Sequence, residues 1–270
     1  MKVFVIDVTR CNGCYNCQIG CKDEHCGNDW MPYTKPQPDT GHFWGRLDER
    51  VRGTIPKVKI AYIFVPCQHC NNAPCISACK IENGIYRRPD GLVIIDPQKC
   101  TGCKNCVDAC PYRAIYYNTD LNLAQKCTGC AHLLDRKEEA FKEPRCVDVC
   151  GTGALKFGEE SKLKELIAKA EVLHPEFGTK PRMYYLNLPK KFIAGTVFSA
   201  SADEVVIGAT CTLTREGQAF TQKTDHWGDF WFDGLKVGKY SLKIESKGKT
   251  KSITDINTEK DVGLGDIALE

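Results

Sequence analysis

The first 160 residues alternate short apolar runs with dense polar loops. KVFVIDV (2–8) reads as a strand that feeds directly into a loop. GIYRRPDGLVIID (84–96) reads as a hairpin turning at Pro89-Asp90-Gly91, and AIYYNTDLNLAQ (114–125) as a second one. GALKFG (153–158) is a further strand. SKLKELIAKAEVL (161–173) has helical spacing, with Leu163, Leu166, Ile167 and Ala170 on one face and Ser161 as N-cap. HPEFGTKPRMYYLNLPKK (174–191), interrupted by Pro175, Pro181 and Pro189, reads as an extended linker. The remainder is a series of short alternating segments separated by turn residues: FIAGTVFSA, ATCTLTR, QAFTQKT, GDFWFDGL, GKYSLKIESK and TKSITDI. That rhythm predicts a small antiparallel sandwich.

These patterns divide the chain into a strand–loop–helix domain over 1–160, a helix and linker over 161–191, and a β-sandwich over 192–270. Within the first domain, 31–66 stands out as an insertion rich in proline and aromatics (Pro32, Tyr33, Phe43, Trp44). A segment of this length is expected to contact a partner. Its basic stretch RLDERVRGTIPKVK (46–59) is interleaved with acids and reads as a solvated face or a partner contact. In the tail, Trp227, Trp231 and Phe232 read as core or docking residues before they read as a ligand patch.

Composition changes the picture of the first domain. The 270 residues include 18 cysteines. A secreted disulfide scaffold seldom crowds its cysteines into C-x-x-C-x-x-C runs, whereas thiolates held by metal do so. With 37 basic against 34 acidic residues, the net charge of +3 gives no sign of nucleic-acid binding. No apolar run approaches 18 residues, so no membrane span is expected. The start MKVFVIDVTRC lacks a signal-peptide layout. The expected location is cytoplasmic, with export alongside a signal-bearing partner as the alternative.

Sixteen cysteines form four groups: Cys11, Cys14, Cys17, Cys21; Cys67, Cys70, Cys75, Cys79; Cys100, Cys103, Cys106, Cys110; and Cys127, Cys130, Cys146, Cys150. A [4Fe–4S] cubane offers four iron corners, each bound by one thiolate. A loop with cysteines at i, i+3 and i+6 reaches three corners, helped by Gly13, Gly102 and Gly129. In two-cluster bacterial ferredoxins the fourth cysteine ligates the other cluster, and the Cys110-Pro111 pair fits that pattern. Crossed ligation requires the groups to pair. Groups two and three are adjacent, which leaves one and four for each other.

Four ligand sets follow. Cluster A takes Cys11, Cys14, Cys17 and Cys150. Cluster B takes Cys21, Cys127, Cys130 and Cys146. Cluster C takes Cys67, Cys70, Cys75 and Cys110. Cluster D takes Cys79, Cys100, Cys103 and Cys106. Group four alone would pass as a zinc ribbon, but three cysteines in seven residues, repeated, do not suit zinc. Cys26 and Cys211 are left over and read as small buried thiols. His25, His69 and His132 lie beside the groups and read as packing or hydrogen-bonding residues.

The fold class that results is α+β: a doubled bacterial ferredoxin-like domain with four [4Fe–4S] clusters, followed by a small all-β sandwich. No G-x-G-x-x-G or G-x-x-x-x-G-K-[ST] motif is present, and no nucleophile–base set stands out. The chain therefore reads as an electron wire with no catalytic residues of its own. The alternatives are a free-standing polyferredoxin and a zinc-binding scaffold.

Two resemblances refine this. The stretch 224–244 looks like the repeat of carboxypeptidase-regulatory-like and collagen-adhesin B-type domains. The four groups resemble the iron–sulfur subunits of molybdopterin oxidoreductases of the dimethyl sulfoxide reductase class. The likeness is closer still to the small subunits of the pyrogallol–phloroglucinol transhydroxylase and resorcinol hydroxylase type. VIDVTRCNGCYNCQIGCKDEH, CQHCNNAPC, AQKCTGCAHLLD, PRCVDVC, PEFGTKPRMYYLNL and the tail carry it. The resemblance implies a large partner subunit, in a heterodimer, holding a molybdenum or tungsten bis-molybdopterin guanine dinucleotide and acting on phenolic rings. It also implies an external electron carrier wherever the net reaction is redox. Oxyanion or sulfoxide reduction is the alternative within the class. Transhydroxylase-type small subunits carry three clusters and lack counterparts of Cys79, Cys100, Cys103 and Cys106, all of which this sequence has.

Overall fold

The computed structural model describes residues 1–136 and 142–270. They form two units, one of Met1–Glu49 and Tyr62–Leu188, the other of Arg50–Ala61 and Pro189–Glu270. Among the described residues, no helix is long and apolar enough to cross a membrane.

In the first unit β1 (Lys2–Asp7) leads to α1 (Asn16–His25). Strands β2 (Gly45–Thr54) and β3 (Lys57–Pro66) pair, and their ends nearest each other in sequence belong to the second unit. Next come α2 (Pro74–Ala78), the hairpin of β4 (Ile85–Arg87) and β5 (Val93–Ile95), and α3 (Asn105–Ala109). They are followed by the hairpin of β6 (Tyr116–Asn118) and β7 (Leu123–Gln125), then α4 (Ala131–Leu134) and α5 (Arg145–Asp148). Strand β8 (Leu155–Glu159), α6 (Lys164–Ile167) and β9 (Met183–Leu186) complete the unit.

Strand β1 is the middle of a three-stranded sheet, antiparallel to β8 and parallel to β9. Val3, Phe4, Val5 and Ile6 are all buried, which is why this strand is a continuous apolar run with no polar alternation. The unit is ferredoxin-like, with short helices and short hairpins set around the cysteine loops.

Two expectations change here. The helix expected over 161–173 is only the single turn of α6, with no buried residue on it and no side-chain cap from Ser161. An apolar stripe holds a helix only when something covers it. The segment read as a linker contains β9, whose Met183 and Tyr185 are fully buried. Tyr185 donates its hydroxyl proton to the Phe64 carbonyl at 3.0 Å and accepts from Gln68 Nε2 at 3.2 Å. The prolines on either side mark the ends of a strand and not an absence of structure.

The second unit is β-rich. Strands β10 (Lys191–Ser199), β11 (Glu204–Val205), β12 (Thr210–Arg215), β13 (Gln218–Lys223), β14 (Asp229–Leu235), β15 (Lys239–Ser246), β16 (Lys249–Asn257) and β17 (Val262–Ala268) make two four-stranded sheets. One sheet orders β11-β10-β14 with β17 parallel to β10, and the other orders β13-β12-β15-β16. Ile193, Val197, Phe230 and Ile267 of the first sheet share a core with Cys211, Leu213, Leu242 and Ile244 of the second. Cys211 is thus a core thiol, and Phe232 is core as well. Trp231 is partly buried beneath the Lys59 ammonium, 4.7 Å from its ring, whereas Trp227 is 76% exposed.

The basic stretch 46–59 is not a free solvated face over its outer half. Within this unit Arg52 grips Asp261 with two bonds of 3.0 and 2.7 Å, Lys59 grips Asp233 at 2.6 Å, and the buried Lys57 pairs with Asp229. Asp261 also accepts from the Phe192 amide at 3.1 Å. Asp261→Ala strips the counter-charge from a guanidinium that is only 15% exposed. The expected cost is on the order of 3 kcal/mol, the range for leaving one member of a buried pair alone. A lower urea midpoint for the tail's unfolding transition checks it, and an unchanged midpoint refutes a stabilising role for the pair.

Candidate iron–sulfur sites

Each cysteine loop begins where a strand ends. Gly13, Gly102 and Gly129 stand two residues after the first cysteine of their groups, with φ of +75°, +72° and +64°. This left-handed geometry bends the loop around a centre, and glycine adopts it without steric cost. A Cβ on Gly13 would also lie 2.4 Å from the Tyr62 ring. In group two the same position is His69, at φ +45°. Histidine tolerates this region better than most residues, and its side chain has work there, described below.

Helices then set the pairing of groups. α1 packs against α5, and α2 against α3. Gly20 permits the first contact, since a Cβ there would lie 2.9 Å from Val149. Cys17 and Cys21 occupy one helix, one turn apart, and Cys146 lies on the helix that faces it.

The four sets come together as follows. Cys11, Cys14, Cys17 and Cys150 line one cavity with Ile6 and Phe64, enclosing about 390 Å³ free of protein atoms, its mouth included. Cys79, Cys100, Cys103 and Cys106 line another of about 330 Å³, with Ile85 and Ile95. Cys21, Cys127, Cys130 and Cys146 are all buried. Burial, and then the neighbouring Cys130, Cys127 and Cys21, push the Cys146 thiol well above its ordinary range. Cys70 is pushed up to about 12 by burial first, with Cys67, Cys75 and Cys110 adding to it. Four buried thiols that oppose one another's ionisation are stabilised as thiolates by a cationic metal core. Among the described residues, no three such side chains close on a single point as one metal ion requires. They surround spaces instead.

Hydrogen bonds to sulfur are already in place. The Gly129, Ala124 and Ala114 amides donate to Cys127, Cys100 and Cys110 Sγ at 3.3, 3.4 and 3.5 Å. Thr152 Oγ1 lies 3.7 Å from Cys150 Sγ. Burial raises the Cys150 thiol, but amides of Leu155, Ala154 and Thr152 outweigh it and the net shift is downward.

The fit to an iron–sulfur cubane rests on orphaned donors as well as on sulfur. His69 is 1% exposed, and its Nδ1 accepts the Val93 amide at 2.9 Å. The proton of the neutral ring is therefore on Nε2, which has no partner among the described residues. Thr128 Oγ1, between Cys127 and Cys130, is buried and unpartnered too. Such a group costs about 1–3 kcal/mol when left unpaired. A cluster's sulfides are acceptors of the kind these donors lack.

Around set B the structure adds a network that spacing does not reveal. His25 Nε2 lies 3.8 Å from Cys130 Sγ, with its ring against Trp44. Buried Glu24 takes His132 Nε2 at 2.9 Å and Arg145 Nε at 2.8 Å. Trp30 stacks on His132 at 4.5 Å and donates to the Glu24 carbonyl at 2.8 Å. His132, read as packing or hydrogen bonding, does both. The one available signal for Glu24 was its position one helical turn from Cys21. Cys26, expected as a small buried thiol, is instead partly exposed, because it follows the end of α1 and its thiol donates to Asp39 Oδ1 at 3.3 Å.

Comparison with known proteins places these features. Residues 58–160 match the 4Fe-4S dicluster domain family, and 193–270 the carboxypeptidase regulatory-like domain family. The chain is 42% identical to the pyrogallol hydroxytransferase small subunit of Pelobacter acidigallici, over 98% of both chains. It is 32% identical to a tetrathionate reductase subunit of Salmonella typhimurium, over 70% of this chain and 73% of that one. It is 34% identical to the thiosulfate reductase electron transfer subunit of Salmonella typhi, over 63% and 83%. With its ferredoxin-like cysteine domain and β-rich tail, the chain belongs to the family of 4Fe–4S electron-transfer subunits of molybdopterin oxidoreductases.

Proposed function

We propose that this chain carries four [4Fe–4S] clusters and relays electrons along them in the order A–B–C–D, to or from a molybdopterin catalytic subunit that acts on phenolic compounds. The observation that carries the reading is the way neighbouring sets meet. Cys17 of set A and Cys21 of set B share α1. Cys67 of set C lies close enough to help hold up the Cys127 thiol of set B, and Cys75 of set C does the same to Cys106 of set D, in both cases after burial. Cys14 and Cys103, in sets A and D, are the exposed ones, whereas sets B and C hold none. The line therefore has two ends at the surface and two interior members. Each cluster exchanges one electron when bound; the protein's part is to hold the thiolates, aim the amides of Ala114, Ala124 and Gly129 at them, and exclude water around sets B and C.

The phenolic substrate is supported by the hydroxytransferase relative, whose similarity extends through the tail, whereas the tetrathionate reductase relative matches 70% of the chain. A complete set D supports a reaction that moves electrons out of or into the complex, as net ring hydroxylation or dehydroxylation does. Hydroxyl transfer between two phenols has no net electron demand. Co-expression with a molybdopterin-type large subunit from the same source, purification through a tag on this chain and turnover of phenols test the reading. Expected are co-purification, about sixteen irons per small subunit, and phenol conversion that requires an external acceptor or donor. A chain that purifies alone, or one with about twelve irons and acceptor-independent turnover, refutes it.

A further inference from the structure

Lys126 is 2% exposed, an unusual place for an ammonium group. Its Nζ donates to the Cys127 carbonyl at 3.0 Å and to the Val93 carbonyl. Among the described residues no carboxylate pairs with it. Buried charges are normally paired, because an isolated one is costly to desolvate. Two carbonyl dipoles satisfy its protons but leave its charge unanswered. The same Val93 residue donates its amide to His69 Nδ1, so Lys126 and His69 flank one stretch of backbone between the group-two and group-four loops. The ammonium is thereby held against the backbone of Cys127, a set B ligand, and across Val93 from the His69 loop that carries Cys67 and Cys70 of set C.

We propose that Lys126 is a positioning and tuning residue shared by clusters B and C, a buried cation whose counter-charge is the negative charge of the two interior cubanes. The inference rests on the four-cluster reading above. Adding an electron to either cluster adds negative charge beside a fixed positive one in a poorly screened interior. Reduction of B and C is thereby favoured relative to A and D, which have an exposed cysteine each. Electrons in transit are thereby held in the interior of the line.

The test is a redox titration of the full four-cluster chain, followed by electron paramagnetic resonance, for Lys126→Met, Lys126→Gln and Lys126→Arg. Lys126→Gln keeps a donor for the carbonyls without the charge. In the Met and Gln chains, two of the four clusters should lose at least tenfold in their equilibrium constant for reduction, 59 mV for one electron, while the other two stay. Lys126→Arg should restore all four. A smaller change, an equal change at all four clusters, or full restoration by glutamine overturns the proposal. If the Met and Gln chains take up fewer clusters, uptake of all four by the Arg chain supports it, and a deficient Arg chain overturns it. Iron content and the number of signals in the unaltered chain report separately on the four-cluster reading.

Discussion

Stripping the iron should unfold the first unit and leave the tail folded. The physical reason lies in how little the first unit has besides its clusters. Helices α2 to α5 have four or five residues each and the hairpin strands three. Helices of that length do not hold themselves in water. Outside the sheet of β1, β8 and β9, the buried apolar side chains, Trp44, Ile63, Leu92, Ile94 and Leu133 among them, sit on short segments between the cysteine loops, and sixteen thiols without metal protonate and lose their common centre. Metal binding is then folding free energy. The tail has a continuous core from Ile193 to Leu269, with twelve of its side chains no more than 5% exposed, and needs no metal. Chelation with mild oxidation, followed by limited proteolysis and circular dichroism, should show loss of protection across the cysteine loops. A resistant fragment should begin near Pro189. Thermal melting should change from two transitions to one. An apoprotein whose cysteine loops stay protected would sink the idea, as would one whose tail unfolds along with them.

What the sequence disclosed, and what it withheld, follows the range of the interactions involved. Cysteine loops are local. Spacings of three residues and the positive-φ glycines at 13, 102 and 129 are written in a few consecutive letters, and the two hairpins turn within their own segments. The convergence of Cys150 with Cys11, Cys14 and Cys17 is long-range, yet legible, because crossed pairing leaves few arrangements. β9 was hidden because its evidence is its partner: Met183 and Tyr185 look like any apolar pair until β1 is seen to need a second edge. The charges of 50–59 looked solvated because their partners, Asp229, Asp233 and Asp261, lie some two hundred residues away. The helix over 161–173 failed for the opposite reason, a good local pattern with nothing packed on it. His69 and Lys126 fall between these cases. His69 occupies the position that glycine fills in the other three loops, which is a visible departure, but what it does there depends on the Val93 amide. Lys126 is one lysine among many until its burial is known.

Cys110→Ser should disable cluster C and spare cluster D, although Cys110 belongs by sequence to the group that wraps D. It caps α3, and the Ala114 amide donates to its sulfur at 3.5 Å. Its sulfur opposes the ionisation of Cys70 and Cys75 in set C and is opposed by Cys67. The cavity of set D is lined by Cys79, Cys100, Cys103 and Cys106 and not by Cys110. The packing of α2 on α3 is what carries a group-three cysteine across to group two. Serine is a weak ligand for iron, so one corner of C is lost and its spectrum changes, while Cys103→Ser should alter D alone. The functional consequence differs in kind from the spectroscopic one. On the proposed order cluster C is interior, so its loss separates A and B from D and should reduce electron delivery between the two ends by orders of magnitude, although three clusters remain. Resonance spectra of the two variants, each with rapid-mixing measurement of electron transfer through the complex, decide the matter. Loss of the D signal in Cys110→Ser would show that the groups ligate without crossing, and undiminished transfer would show that C is not on the path.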